Sequence, residues 1–153
     1  MDEIDKKILK LLQRNANIPL SDLSKRVGIS STPCWNRVKK MEENGIIRSK
    51  ITVLNNEKIN LSITVFLSIS VKSHQEEWFE QFKETLMKYD QIVEVYRLAS
   101  STADYLLKIV APSIDAYDHF QQKLIKEIEF TNMTSNISLK EIKKNQYLPL
   151  DFI

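Results

Sequence analysis

Two rhythms of apolar and polar residues divide the chain. Through residue 47 the apolar positions recur every three or four residues. Ile4, Ile8, Leu11 and Leu12 form one helical stripe, and Asp2, Glu3 and Asp5 fill a first turn where the helix dipole favours negative charge. This helix is expected to end near residues 15–17, ahead of Pro19. A second is expected to start with Ser21 as its N-cap, to turn Leu20, Leu23 and Val27 inward, and to close on a left-handed Gly28. A third runs from Ser30 or Ser31 to about Asn44, with Pro33 in its first turn, where a missing N–H costs nothing, and Gly45 as its stop. Only "GIS", residues 28–30, separates the second helix from the third. That is the spacing of a helix-turn-helix unit, although it fits a plain three-helix bundle as well.

From residue 62 the period changes. "SITVFLSISVK" alternates Ile63, Val65, Leu67, Ile69 and Val71 against Thr64, Phe66, Ser68, Ser70 and Lys72, which predicts a strand. "HQEEWFEQFKETLMKYD" places Trp78, Phe82, Leu86 and Tyr89 on one helical face, and "IVEVYRLAS" and "DYLLKIV" are two further strands joined by a short turn. "SIDAYDHFQQKLIKEI" is a helix capped by Ser113 with Tyr117, Phe120, Leu124 and Ile128 inward, and "NISLKEIKK" is expected to close the series as the fourth strand. The preceding "RSKITVLNNEKINL" reads as a short strand, an Asn-Asn turn and a linker. The expected fold class is α+β. A three-helix helix-turn-helix domain over residues 1–47 precedes a strand and linker over 48–61. A ferredoxin-like βαββαβ domain with an antiparallel sheet follows over 62–153. Its two helices cover one sheet face only. The half-apolar opposite face of Thr64, Phe66, Ser68 and Ser70 calls for a partner, most simply a second copy.

The third helix carries the candidate chemistry. Cys34, Val38 and Met41 share a narrow sector that must face the core, so the opposite face presents Thr32, Asn36 and Lys39, flanked by Trp35 and Lys40. Asparagine pairs bidentately with adenine, lysine reaches guanine or phosphate, and Thr and Trp offer apolar contact to thymine methyls or sugars. Ser31 lies at the start of this helix, and Arg37, nearer the core edge, suits phosphate. A solvated face would also display Asn36 and Lys39, and Trp35 would equally serve as a packing residue. The DNA-binding candidates are Ser31, Thr32, Trp35, Asn36, Arg37, Lys39 and Lys40.

Charge supports this division. Residues 1–60 hold 12 Lys/Arg against 7 Asp/Glu, and residues 61–153 hold 10 against 13. A basic front suits a polyanion, though with so few charges chance yields the same split. The remaining composition, 42% hydrophobic and 27% charged over 153 residues, fits a soluble protein of one domain or two small ones. No apolar run is long enough to span a membrane. The acidic opening "MDEIDKK" is unlike a secretory signal, and the single cysteine excludes an internal disulfide and suits a reducing cytoplasm. Cys34, on the buried stripe, reads as a small core hydrophobe. His74 and His119 are isolated, and no HExxH, CxxC, GxSxG or glycine-rich phosphate loop occurs, so no catalytic, metal or cofactor set is expected.

The segments "IDKKILKLLQ", "LSKRVGISSTPCWNRVKKMEENGII" and "DYLL" resemble the Lrp/AsnC family, the leucine-responsive and feast/famine regulators of prokaryotes, and the likeness spans essentially the whole chain. The resemblance implies a sequence-specific transcriptional regulator of double-stranded DNA, cytoplasmic and nucleoid-associated. It implies dimerisation through the rear domain, further assembly into an octamer as a tetramer of dimers, and modulation by an amino acid bound between dimers. The matching effector positions lie in the turn "ASSTAD" and the strand "NISLKE": Ser100, Ser101, Thr102, Asp104 and Asn136, with Asp104 holding the ligand ammonium. In the family that turn has a glycine, an acid and an aromatic before the aspartate; here Ser101, Thr102 and Ala103 stand instead, which predicts weak or absent response to leucine and asparagine. Trp35 is bulkier than the family's common leucine. The competing readings are an amino-acid-sensing module acting through protein contacts and an enzyme on a ferredoxin-like fold. The basic front and the Asn36/Lys39 face oppose the former, and the lack of catalytic residues opposes the latter.

Overall fold

The computed structural model describes residues 1–72, 75–99, 102–144 and 147–153. They gather into two compact units, Met1–Val53 together with Ile142–Ile153, and Leu54–Glu141.

In the first unit, α1 (Glu3–Arg14), α2 (Leu20–Val27) and α3 (Ser31–Glu43) close on a core of Ile8, Leu9, Leu23, Val27, Cys34 and Met41, with Ile4, Leu11, Leu12, Val38 and Ile47 packed around it. Of the expected α1 stripe Ile8 is buried and Ile4, Leu11 and Leu12 are half-buried around it. Leu9 is buried beside them, and Leu20, expected to turn inward at the start of α2, is exposed instead. The Asp2 carboxylate accepts the N–H of Asp5, and the Asp5 carboxylate accepts the N–H of Asp2, a reciprocal cap on α1. α2 begins earlier than expected. Pro19, not Ser21, precedes it, with φ already near helical at −57° and a carbonyl that accepts from the N–H groups of Asp22 and Leu23. Gly28 closes α2 at φ +80°, in the left-handed region that suits a residue without Cβ. After α3, Gly45 at φ +69° turns the chain so that Ile46 and Ile47 both donate to the Met41 carbonyl.

Two expectations fail here. Residues 48–55 carry no strand, because an extended backbone needs a neighbour and this one has none within the described chain; Ile51 is 74% exposed and Val53 and Leu54 are exposed beside it. A single turn of 3-10 helix, Glu57–Ile59, follows. Nor do the described residues after 141 join the sheet unit; they belong with the three helices. The Gln13 side chain both donates to the Leu148 carbonyl and accepts the Leu148 N–H, Lys10 pairs with Asp151, and Leu150 joins the three-helix core.

The second unit follows the order β1 (Ile63–Ser70), α4 (Glu76–Met87), β2 (Ile92–Arg97), β3 (Tyr105–Ala111), α5 (Ile114–Glu127), β4 (Asn132–Ile137). The strands form one antiparallel sheet in the order β2-β3-β1-β4, the ferredoxin-like topology expected. Val65, Leu67 and Ile69 of β1 and Leu107 and Ile109 of β3 are fully buried beneath Phe82, Tyr117, Phe120 and Leu124 of the helices. Each such side chain contributes about 1.5–3 kcal/mol by leaving water. Phe82 stacks on Trp78 at 4.9 Å and meets Tyr105 at 4.8 Å, which ties α4 to β3. Ser113 caps α5 as predicted, accepting the N–H of Ala116.

The fourth strand is displaced from its expected place at 136–144. Register sets it: Met133, Ser135 and Ile137 lie opposite Ile69, Leu67 and Val65, the buried residues of β1. The Ser138 N–H still bonds the Thr64 carbonyl, and beyond it Leu139 stands 98% exposed.

Candidate functional site

The helix-turn-helix is held together at its bend by a small polar contact. Ser24, buried on α2, donates to the Ser21 carbonyl and lies 3.2 Å from the Ser31 hydroxyl at the start of α3. Ser31 therefore serves first as a link between the helices. Sequence reasoning missed Ser24, because a serine on an inner face carries no hydrophobic signal. From there α3 presents Thr32, Trp35, Asn36, Lys39 and Lys40 outward, all exposed, while Cys34 and Met41 are buried behind them. Burial pushes the Cys34 thiol up, away from the reactive thiolate.

Trp35 is 49% exposed and packs on no core, which removes the packing explanation within this unit. The Lys39 ammonium lies 5.1 Å from the centre of its ring, and its other contact is Glu43 at 3.7 Å, one turn along. A flat aromatic surface carrying a cation, beside an exposed asparagine, offers one apolar, one cationic and one bidentate polar group within two helical turns. That combination can meet thymine methyls, phosphates and adenine edges. Arg37 behaves differently from the others. Its guanidinium turns back to α1, with Nη1 2.7 Å from Asp2 Oδ2 and 2.8 Å from Asp5 Oδ1. The carboxylates that satisfy it lie more than thirty residues away in sequence, so no local pattern marked the pairing.

Among the described effector candidates, Thr102 and Asp104 lie together at the end of β1, and Asn136 lies apart from them on β4. Ser100 and Ser101 lie outside the described residues, as does His74. The Thr102 carbonyl accepts from the Ser70 hydroxyl, Ala103 is buried, and the Asp104 carboxylate accepts the N–H of Val71 at 2.8 Å. The Asp104 backbone also bonds Ile69 and Leu98, so this residue fastens the β2–β3 turn to the end of β1. Asn136 sits on β4 opposite Phe66 and donates to its carbonyl. Phe66 and Val71 are five residue steps apart along extended chain, about 16 Å. A cleft of about 610 Å³ lies beside Trp78, Lys72, Phe130 and Asn132, and includes none of these effector residues. His119 is exposed and its Nδ1 contacts only the Asp115 carbonyl on its own helix among the described contacts.

The open face of the sheet carries Phe66, Tyr96, Leu106 and Lys108. Glu94, on the edge strand β2, accepts from both Lys108 at 2.8 Å and the Tyr96 hydroxyl at 2.6 Å.

Residues 1–48 match the winged helix-turn-helix DNA-binding family model, and residues 64–148 match the Lrp/AsnC ligand-binding domain. Among curated proteins, the glutamate uptake regulatory protein of Zymomonas mobilis is 37% identical over 98% of this chain and 91% of its own length. Among solved structures, an AsnC family transcriptional regulator of Agrobacterium tumefaciens superposes with a TM-score of 0.95 at 43% identity, covering 100% of this chain and 99% of that one. A transcriptional regulator of Neisseria meningitidis, solved as a complex with L-methionine, superposes at 0.93 with 31% identity, covering 99% and 98%. With both halves of its architecture matched and relatives aligned from end to end, the chain belongs to the Lrp/AsnC family of DNA-binding transcriptional regulators.

Proposed function

We propose that α3 lies in the DNA major groove and reads it through Thr32, Trp35, Asn36, Lys39 and Lys40, with residues 1–47 acting as the DNA-binding domain and 48–61 as linker. The observation that carries this is the exposed Trp35–Lys39 pair beside Asn36 on the face opposite the buried Cys34 and Met41. A helix shaped only by solubility would not leave an indole half in water. The protein acts on double-stranded DNA in the cytoplasm as a nucleoid-associated regulator, and catalyses no reaction.

The rear sheet serves self-association. Phe66 and Tyr96 are exposed on a face that no helix covers, and Ile51, Val53 and Leu54 are exposed nearby in sequence. A second copy satisfies both, and four such dimers make an octamer. An amino acid is the effector, and leucine and asparagine are poor candidates for it. Asp104 and Asn136 lie too far apart in one protomer to grip a ligand that small, so a ligand touching both takes them from different copies.

Asn36→Ala is expected to weaken operator binding by about 1–3 kcal/mol and to relax preference at one base position. Lys39→Ala distinguishes a base contact from a phosphate contact, since losing the latter weakens all sequences alike and lowers the salt slope by roughly one unit. Wild-type binding by both variants in low and moderate salt would remove α3 from the groove.

A further inference from the structure

Arg37 occupies a position that, on an isolated helix, would reach a phosphate. In the structure it joins a closed set of hydrogen bonds instead. Asp2 uses Oδ1 to accept the Asp5 N–H and Oδ2 to accept from Arg37; Asp5 uses Oδ2 to accept the Asp2 N–H and Oδ1 to accept from Arg37. All four carboxylate oxygens are thereby engaged, and one guanidinium nitrogen serves two of them. The carboxylates sit at the N-terminus of α1, the end where the helix dipole favours negative charge. Each carboxylate also caps the other residue's N–H, a contact that does not involve Arg37. The middle of α3 is thus bolted to the first turn of α1 by charge-assisted bonds of 2.7 and 2.8 Å. Ser31 and Ser24 fix the start of α3 at its other edge.

We propose that Arg37 is a positioning residue for DNA reading: its clamp to Asp2 and Asp5 sets the rotation of α3 about its own axis, and so the direction in which Asn36 and Lys39 point, and it does not itself contact phosphate. Cys34, Val38 and Met41 anchor α3 to the core along one narrow sector, and the clamp adds a second fixed point away from that sector, which together define its rotation. Asn36 precedes Arg37 directly in sequence, so a small roll displaces its amide from a bidentate geometry that tolerates little error. This rests on the reading that α3 lies in the groove.

The test uses the full-length protein and a duplex selected by the wild type from random DNA. Arg37→Gln, Asp5→Asn, their combination and Arg37→Lys are measured for affinity across salt concentrations, with the folded fraction checked by circular dichroism. Arg37→Gln and Asp5→Asn are each expected to weaken binding about five- to a hundredfold, the loss of one base contact. Base preference should blur at the position read by Asn36, and the salt slope should match wild type. The combined variant should bind no worse than Arg37→Gln alone, because both changes break one device. Arg37→Lys, which keeps the charge and loses the fork, should fall between. A phosphate contact gives the opposite sign. Asp5→Asn would then loosen the guanidinium, leaving Asp2 as its one charged partner in the clamp, remove a repelling charge and bind as well as or better than wild type, while Arg37→Gln would lower the salt slope by about one unit. Variants less stable than wild type but equal to it in affinity when folded would also overturn the proposal. Asn36→Ala, run alongside, separates the two failures: if it too binds normally, α3 is not the reading helix at all.

Discussion

Replacing Asp104 by alanine removes the acceptor that fastens the β2–β3 turn to the end of β1. The sequence resemblance gives this carboxylate to an effector ammonium, whereas the structure gives one of its oxygens to the Val71 N–H at 2.8 Å. A hydrogen bond to a charged acceptor contributes about 1.5–3 kcal/mol, and a donor stranded away from water loses about 1–3 kcal/mol. Asp104 and Val71 are both half-buried, so water reaches the freed N–H in part and the expected loss is about 1–2 kcal/mol. Asp104→Asn keeps an acceptor oxygen without the charge and should lose about half as much. Urea denaturation of wild type and both variants reads this directly. The midpoint should move in the order wild type, Asn, Ala, with the slope unchanged, since the surface exposed on unfolding stays the same. An Asp104→Ala protein that unfolds at the wild-type midpoint would refute the structural role and return the residue to ligand binding alone.

Two further outcomes are expected. The Asp2 carboxyl is held below its ordinary value of 3.8, first by the Asp5 N–H and then by Arg37. Its contribution to stability is therefore fully present above that value and lost as pH falls through the lower folded one. Carboxyl NMR should show a midpoint below 3.8, shifted upward by Arg37→Gln but not fully restored, because the Asp5 N–H remains; a midpoint indifferent to Arg37 contradicts the clamp. The second outcome concerns the sheet: residues 54–141, which hold their own core, should sediment as a dimer at micromolar concentration, and a stable monomer would remove the argument from Phe66 and Tyr96.

The helices of the first unit were legible because burial there follows a simple period. The stripe of Ile4, Ile8, Leu11 and Leu12, the glycine stop at Gly28 and the core sector of Cys34, Val38 and Met41 are all local signals. The first three strands of the sheet were legible for the same reason. β4 was not, because its inner face carries Ser135. That hydroxyl, on an exposed edge strand, bonds the Tyr117 hydroxyl at 2.6 Å and accepts from Gln121 at 3.1 Å, contacts that only the folded sheet supplies. The apolar residues of "NISLKEIKK" offered a stronger pattern and the wrong answer. Contacts between distant residues stayed hidden throughout: Arg37 with Asp2 and Asp5, and Gln13 with Leu148, 135 residues along. On the exposed face of α3 the residue types suggested the chemistry, and the structure supplied the orientation that makes it usable.

Selection of binding sites from random duplex DNA, by wild type and by Asn36→Ala in parallel, tests the central claim most directly. A dimer reading through α3 should enrich a near-palindromic sequence with half-sites about 10–10.5 base pairs apart, or a multiple of that. Asn36→Ala should recover the same spacing with preference lost at one base in each half-site. Enrichment of no sequence by the wild type, or an identical motif from both proteins, would contradict the account.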